Sequence, residues 1–153
     1  MTSQEFDKEF KQLCTEMVEI AYEFVDYNEE EVDTIYTYCT MEANIISYNV
    51  FYRINGELVR LSKINTVSNM QYDISKEKMF QLLGIGVDYL DKIEQLFIAD
   101  EREVPTQMKM VYFPKTGEFD NQISYYLHFS QSSDLLSDDI FEQWFEEVKT
   151  AKN

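Results

Sequence analysis

His128, the only histidine of this 153-residue chain, is the first candidate for acid–base chemistry. It falls on the outward side of a predicted strand, and no cysteine or serine can be placed beside it from the sequence alone. A Ser-His-Asp triad needs both neighbours within hydrogen-bond distance of the imidazole. We therefore expect a surface or structural histidine rather than a general base, and we do not expect an enzyme.

Asp88, Asp91 and Glu94 are spaced three apart on a predicted helix, so their carboxylates could meet around a hard cation. However, no second carboxylate-rich helix offers an evident partner motif, and Glu94 turns toward the apolar stripe of its own helix. The favoured interpretation is a set of solvated acids, with neither a metal nor another cofactor.

Asp134, Asp138 and Asp139 lack the alternating ligands and the glycine of a calcium loop. A helix N-terminus explains them better, because Ser137 can cap the helix. Asp138 and Asp139 then lie at the positive end of the helix dipole.

Gly84-Ile85-Gly86 contains two glycines of a dinucleotide-binding fingerprint. That fingerprint follows a strand and has a third glycine, whereas this pair lies inside a helical pattern. Each glycine in a helix interior costs about 1 kcal/mol relative to alanine. The pair therefore predicts a helix break or a very close packing contact, and not a phosphate site.

Asp and Glu number 29 against 13 Lys and Arg, which gives a formal net charge of -16. A field of this sign repels nucleic acid and anionic lipid and attracts basic proteins. A hydrophobic share of 44% and an aromatic share of 15% argue against a disordered acidic tail. We expect a folded protein with a basic protein partner and with neither nucleic acid nor membrane as a ligand. The alternative is that the charge only maintains solubility.

Cys14 and Cys39 fall on a predicted helix and a predicted strand without metal-ligand spacing. Such residues are expected to be buried thiols in a reducing compartment. The N-terminal MTSQEFDKEF has neither the basic nor the apolar region of a secretory leader, and no apolar run is long enough to span a bilayer. These features predict a cytoplasmic protein.

Hydrophobic periodicity predicts three helices and about five strands. The helices cover 3–27, 75–97 and 137–149, and Ser75 is the predicted cap of the second. The strands lie near 32–41, 45–54 and 57–64 and in a hairpin over 108–129, whose loop is PKTG (114–117). We predict that the last strand runs from Phe119 to Phe129, with Phe119 and Ile123 on its inward side and His128 on its outward side. The order α-β-β-β-α-β-β-α indicates one α+β domain, residues 1–153, with an antiparallel sheet and helices on its apolar face. Strand order stays open.

The first and last predicted helices carry acidic residues on the side opposite their apolar stripe. On the first helix these are Glu16, Glu19 and Glu23, preceded by Glu5 and Glu9. On the last helix they are Asp138, Asp139, Glu142 and Glu146, with Lys149 alone in opposition. Like charges four residues apart cost a few tenths of a kcal/mol. Both faces are therefore candidate surfaces for a basic protein.

Exposed aromatic residues rimmed by charge are typical anchors of tight interfaces. Tyr126 and Phe51 lie on the less buried side of their predicted strands and are the candidates, while Tyr36 and Tyr38 share one side of the first strand. The alternative is that a second layer of structure covers this side of the sheet and makes these rings part of the core.

The order of elements, together with a strand meander ending in YRINGELVRLSKIN, a hairpin around YFPKTGEFD and the closing FEQWFEEVK, resembles the YezG-like family of bacterial immunity proteins. The resemblance covers nearly the whole chain. It implies a cytosolic antitoxin that binds and neutralises the toxin domain, often a nuclease, of a secreted polymorphic toxin. It implies no catalytic residues.

Two functional hypotheses follow. The first is a non-catalytic immunity protein whose carboxylates pair with basic residues of a toxin domain and compete there with phosphate. The predicted contact residues are Asp138, Asp139, Glu142, Glu146, Glu16, Glu19, Glu23 and Tyr126. The alternative is an acidic adaptor or secretion chaperone that binds a basic protein without inhibiting it. The oligomeric state stays open.

Overall fold

The computed structural model describes residues 2–151. Within them lie three α-helices, α1 (Ser3–Glu23), α2 (Lys76–Ala99) and α3 (Ser137–Ala151). The strands of the sheet are β1 (Val32–Thr40), β2 (Ser47–Ile54), β3 (Glu57–Arg60), β4 (Gln107–Phe113) and β5 (Glu118–Ser124). They form one antiparallel sheet in the order β3-β2-β1-β4-β5. The predicted α+β class and element order are confirmed.

The two long helices begin at side chains that cap free backbone N–H groups. The Thr2 hydroxyl accepts a hydrogen bond from the backbone N–H of Glu5 at 3.0 Å. The Ser75 hydroxyl accepts one from the backbone N–H of Lys78 at 3.2 Å, so the predicted cap of α2 is confirmed.

α2 continues without a break through Gly84 and Gly86. The reason for glycine at the second position is a close approach to β2, because a Cβ atom built on Gly86 would lie 2.1 Å from Cδ2 of Tyr48. Of the two predicted explanations for the glycine pair, close packing is therefore the correct one at Gly86.

Tyrosine hydroxyls tie the sheet to α1. Tyr48 donates a hydrogen bond to the carbonyl oxygen of Met17, and Tyr52 donates one to that of Ala21, both at 2.7 Å. Cys14 and Cys39 lie in the same core as free thiols, as predicted. Burial raises the pKa of Cys14 to about 12 and that of Cys39 well above its usual value.

α3 packs on the opposite face of the sheet from α1 and α2, so the prediction that the helices share one apolar face is wrong for α3. Phe51 is fully buried, and its ring centroid lies 5.0 Å from that of Trp144 and 5.1 Å from that of Phe145. Tyr36 and Tyr38 are buried in the same cluster. These three residues belong to a second core rather than to a contact surface, because residues of alternate parity along a strand point to opposite faces and both faces are covered here.

Several predicted elements were too long, and β5 shows why. It ends at Ser124 rather than at Phe129, because the following segment is held by the buried carboxylate of Glu42. That carboxylate accepts hydrogen bonds from the backbone N–H groups of His128 at 2.7 Å, Phe129 at 3.1 Å and Ser130 at 2.6 Å. Two other elements are also shorter than predicted: α1 ends at residue 23 instead of 27, and β3 ends at residue 60 instead of 64.

Candidate partner-binding surface

We call the acidic residues predicted on the last helix the α3 acidic face (Asp138, Asp139, Glu142 and Glu146), and all of them except Asp138 lie on the outer side of α3. Glu142 is half-buried and the other three are exposed. The opposite side of the helix is buried through Ile140, Phe141, Trp144 and Phe145. The helical periodicity therefore placed these carboxylates correctly with respect to solvent.

The two aspartates of this face differ in their surroundings. Asp139 accepts a hydrogen bond from the backbone N–H of Leu136 at 2.8 Å, as the reach-back residue of a capping box does. Ser137, the predicted cap, is instead the first residue of the helix. Asp138 lies apart from the other acids, in a recess between α3, β2 and α2.

Arg60, at the end of β3, partly neutralises the two glutamates. Its Nη2 atom lies 2.5 Å from Glu142 Oε1 and 3.9 Å from Glu146 Oε2. Its guanidinium also lies 4.1 Å from the ring centroid of Phe145. The prediction that Lys149 alone opposes these charges is wrong, because the sequence pattern of one helix contains no information about a strand that packs beside it.

The acidic residues of the first helix form the α1 acidic face (Glu16, Glu19 and Glu23). Glu16 is half-buried and accepts hydrogen bonds from Gln12 Nε2 and from the Tyr89 hydroxyl of α2, both at 3.3 Å. Glu19 and Glu23 are exposed. Burial, with the charges of Glu23 and Glu19 adding to it, raises the pKa of the neighbouring Tyr27.

The two acidic faces lie on opposite sides of the sheet. α1 rests on the side of β2 that presents Tyr48 and Tyr52, and α3 rests on the side that presents Phe51. An interface of standard size covers about 800 Å² of each partner, on one side of a protein of this size. The eight predicted contact residues therefore do not form one surface.

Tyr126, the predicted aromatic anchor, is on the same side as α3. It is 70% exposed and lies at a groove of about 380 Å³ between α3 and β4, which we call the α3–β4 groove. The groove is lined by Lys109, Tyr126, His128, Gln143, Trp144 and Glu147, among others. Gln143 and Glu147 also line the shallow depression that contains Asp139, Glu142 and Glu146. The groove and most of the α3 acidic face are therefore continuous.

The backbone of Tyr126 is held in place from two directions. The Thr106 hydroxyl donates a hydrogen bond to the carbonyl oxygen of Tyr126 at 2.6 Å. Glu42 binds the next part of the chain through the N–H groups of residues 128–130. The ring of Tyr126 also packs on that of His128, with centroids 4.4 Å apart. An exposed side chain on a fixed backbone loses less entropy when a partner binds it.

The structure places a serine beside the histidine, which the sequence did not predict. Ser124 Oγ lies 2.8 Å from His128 Nε2. Burial lowers the pKa of His128. The charge of Glu42 acts in the opposite direction, whereas the charge of Lys109 lowers this pKa further. The Glu42 carboxylate is engaged by three backbone N–H groups, so it does not orient the imidazole as the acid of a triad would. The Ser124–His128 pair bridges the irregular segment that follows β5.

Within residues 2–151 no group of three or more His, Cys, Asp or Glu side chains is arranged to hold a metal ion. Asp88 and Asp91 of α2 are exposed, and Glu94 is half-buried. No helix in this described part of the chain is both long enough and apolar enough to cross a membrane.

Sequence reasoning missed the open edge of the sheet. Phe119 and Ile123 of β5 were predicted to face the core, yet each is 39% exposed. Alternation along the strand identified their common side correctly, but whether a strand lies at the centre or the edge of a sheet depends on pairing with distant segments. No local pattern carries that information.

No protein-family model matches this chain, and no curated protein matches it either.

Proposed function

We propose that this protein is a non-catalytic immunity protein that acts in the cytoplasm by binding the toxin domain of a secreted bacterial toxin. The α3 acidic face and the α3–β4 groove are the proposed contact surface. The observation that carries this proposal is the position of Tyr126, an aromatic side chain exposed to 70% at a groove bordered by carboxylates of α3. The resemblance of the strand and turn motifs to YezG-like immunity proteins supports the functional class.

The chemistry of this surface suits a basic partner. Tyrosine supplies a large contact area with little rotamer entropy, and it is enriched among the residues that contribute most to binding. Glu146 and Glu147 are exposed on adjoining positions of the same surface. If the toxin domain is a nuclease, such carboxylates compete with phosphate for its Lys and Arg side chains.

The α1 acidic face is the weaker candidate on the same criteria. Glu16 is already hydrogen-bonded to Tyr89 of α2, and Tyr126 lies on the other side of the sheet. We therefore propose that Glu19 and Glu23 act at long range: they add to the net negative charge, which increases the rate of encounter with a basic protein.

The tagged protein is first isolated at low salt, with any bound partner, from cells that produce it. The activity of that partner is then measured with and without the tagged protein. Inhibition supports immunity. Binding without inhibition contradicts it and supports an adaptor or secretion chaperone.

Variants of the tagged protein then locate the surface. Tyr126→Ala is expected to weaken binding about 30-fold or more, equivalent to about 2 kcal/mol. Tyr125→Ala, which removes the neighbouring half-exposed ring, serves as the matched control. Glu146→Lys is expected to slow association more than Glu23→Lys does, with an effect that fades as salt is added. Equal losses in each pair would exclude the α3 surface.

A further inference from the structure

The two edges of the sheet differ in length and in covering. β3, at one edge, is short, and the chain continues directly into a 3₁₀ segment, Leu61–Thr66, that contacts it. β5, at the other edge, spans Glu118–Ser124, and all of its residues are exposed or half-buried. It contains neither proline nor lysine, and its charged residues are the two acids Glu118 and Asp120. Natural proteins protect edge strands with proline and lysine, with short strands or with covering segments.

We propose that the outer edge of β5 binds an extended segment of a partner protein as a sixth strand, in which apolar and basic side chains alternate. An edge strand offers a row of free backbone N–H and C=O groups, which give affinity, while its side chains select the sequence that pairs with it. This proposal is independent of the immunity function and of the α3 surface.

The side of β5 that faces α1 selects apolar residues. Phe119 and Ile123 are partly exposed there. Phe119 also lines a groove of about 430 Å³ between α1 and the β4–β5 hairpin, together with Val18, Tyr22 and Tyr112. Every second side chain of an added strand would point to this side, so apolar side chains at those positions would cover Phe119 and Ile123.

The other side of β5 selects basic residues. Glu118 and Asp120 are exposed on it. The two lysines of the hairpin are directed elsewhere, because Lys115 pairs with Asp33 at 2.5 Å and Lys109 lies 5.5 Å from the ring centroid of Trp144. Lysine or arginine at the intervening positions of an added strand would lie opposite the two carboxylates, where opposite charges attract across strands.

A second copy of this chain fits the edge less well. Antiparallel pairing of two β5 strands about Asn121 would make the two Asp120 side chains diagonal neighbours, and each chain carries a formal net charge of -16. The charges of the edge thus favour a basic partner over self-association.

The experiment uses the full-length ¹⁵N-labelled protein and the peptide acetyl-Val-Lys-Val-Lys-Val-Lys-Val-amide, with the same peptide carrying Glu in place of Lys as the comparison. We expect chemical-shift changes and slowed amide exchange in residues 118–124, with the glutamate peptide binding roughly tenfold more weakly or worse. Asp120→Lys should weaken binding of the lysine peptide about fivefold. Asp91→Lys, an exposed charge reversal on α2, should change it less than about twofold, as expected of a distant site.

Three outcomes would overturn the proposal. The first is chemical-shift changes centred on α3 or spread over both acidic faces. The second is an equal loss of peptide affinity in the Asp120 and Asp91 variants, which would indicate attraction by net charge alone. The third is a dimer in sedimentation experiments that Ile123→Lys abolishes, because such a dimer would assign the edge to a second copy. Ile123→Ser provides a check that does not alter charge, and unchanged peptide affinity in that variant also contradicts strand addition.

Discussion

The two faces of the sheet are packed with different chemistry. Beneath α1 and α2 the core combines aliphatic and methionine side chains with two buried tyrosines whose hydroxyls bind backbone carbonyl groups of α1. Beneath α3 lies a smaller cluster that is mostly aromatic, built around Phe51 and Trp144. Two helices cover the first face and α3 alone covers the second, and a groove lies at the margin of each layer. The proposed contact surface is at the margin of α3, because Tyr126 is exposed there.

The largest expected effect is at the closest contact of the first face. Gly86→Ala should destabilise the protein by about 4 kcal/mol or more, because the new Cβ overlaps the Tyr48 ring. That ring is buried and held by its hydroxyl bond to Met17, so it cannot move aside cheaply. Urea denaturation followed by circular dichroism measures the loss.

Gly84→Ala is the matched control for that substitution. A Cβ atom at Gly84 meets no atom within 4 Å apart from the backbone of its own helix. Alanine there should stabilise the helix by up to about 1 kcal/mol. Similar destabilisation by both substitutions would mean that Gly86 does not mark a close contact.

Removing the central side chain of the cluster beneath α3 should lower the free energy of unfolding by less than Gly86→Ala does. Trp144→Ala is expected to cost about 3 kcal/mol, since it deletes a buried ring that contacts Phe51 and Tyr36. Leu136→Ala, at a position that is 70% exposed, should change stability by less than about 0.5 kcal/mol. Hydrogen exchange sharpens the comparison, because faster exchange in α3 with α1 unchanged would mean that the two faces open separately.

A third prediction concerns Glu42, whose buried carboxylate binds the backbone N–H groups of residues 128–130. Burial alone would raise the pKa of Glu42, but hydrogen bonds from the Ser130 side chain and from the backbone N–H groups of residues 128–130 outweigh it, so the pKa is lowered. Glu42→Gln should cost about 2 kcal/mol at neutral pH, because it removes hydrogen bonds to a charged acceptor. Glu57→Gln, at an exposed position of β3, is the control.

The pH dependence of stability separates charge from packing at this site. A carboxyl group with a lowered folded-state pKa stabilises the protein fully above its unfolded pKa of about 4.3, and this contribution is lost as the pH falls through the folded value. The unfolding free energy of the wild-type protein should therefore fall more steeply below that pH than that of Glu42→Gln. Parallel curves would mean that the buried charge contributes little.

The smallest effect is expected at the ion pair on the outside of α3. Arg60→Ala should cost about 1 kcal/mol, since an exposed pair and a cation–π contact contribute little in water. Arg60→Met retains much of the packing on Phe145 and separates that contribution from charge. A loss that persists at high salt in the alanine variant alone would assign the effect to packing.

Much of the local structure could be predicted from residue types. The helix cap at Ser75 and the alternation of side chains along β2 are local features, and they correctly located α2 and β2 in the chain. The outer position of Asp139, Glu142 and Glu146 on α3 also follows from a period of 3.6 residues. Exposure of Tyr126 was predicted, whereas at Phe51 the alternative, a second layer that covers this side of the sheet, is the correct one.

The sequence by itself determined which segments are helices and strands and which side of each is apolar, because these properties repeat along the chain within a few residues. Only the tertiary structure decided that α3 covers the second face, that β5 lies at the edge, and that Arg60 reaches Glu142. It also decided that Glu42 binds a segment far along the chain. The physical reason is that these features depend on contacts between residues distant in sequence, which no periodicity within one element specifies.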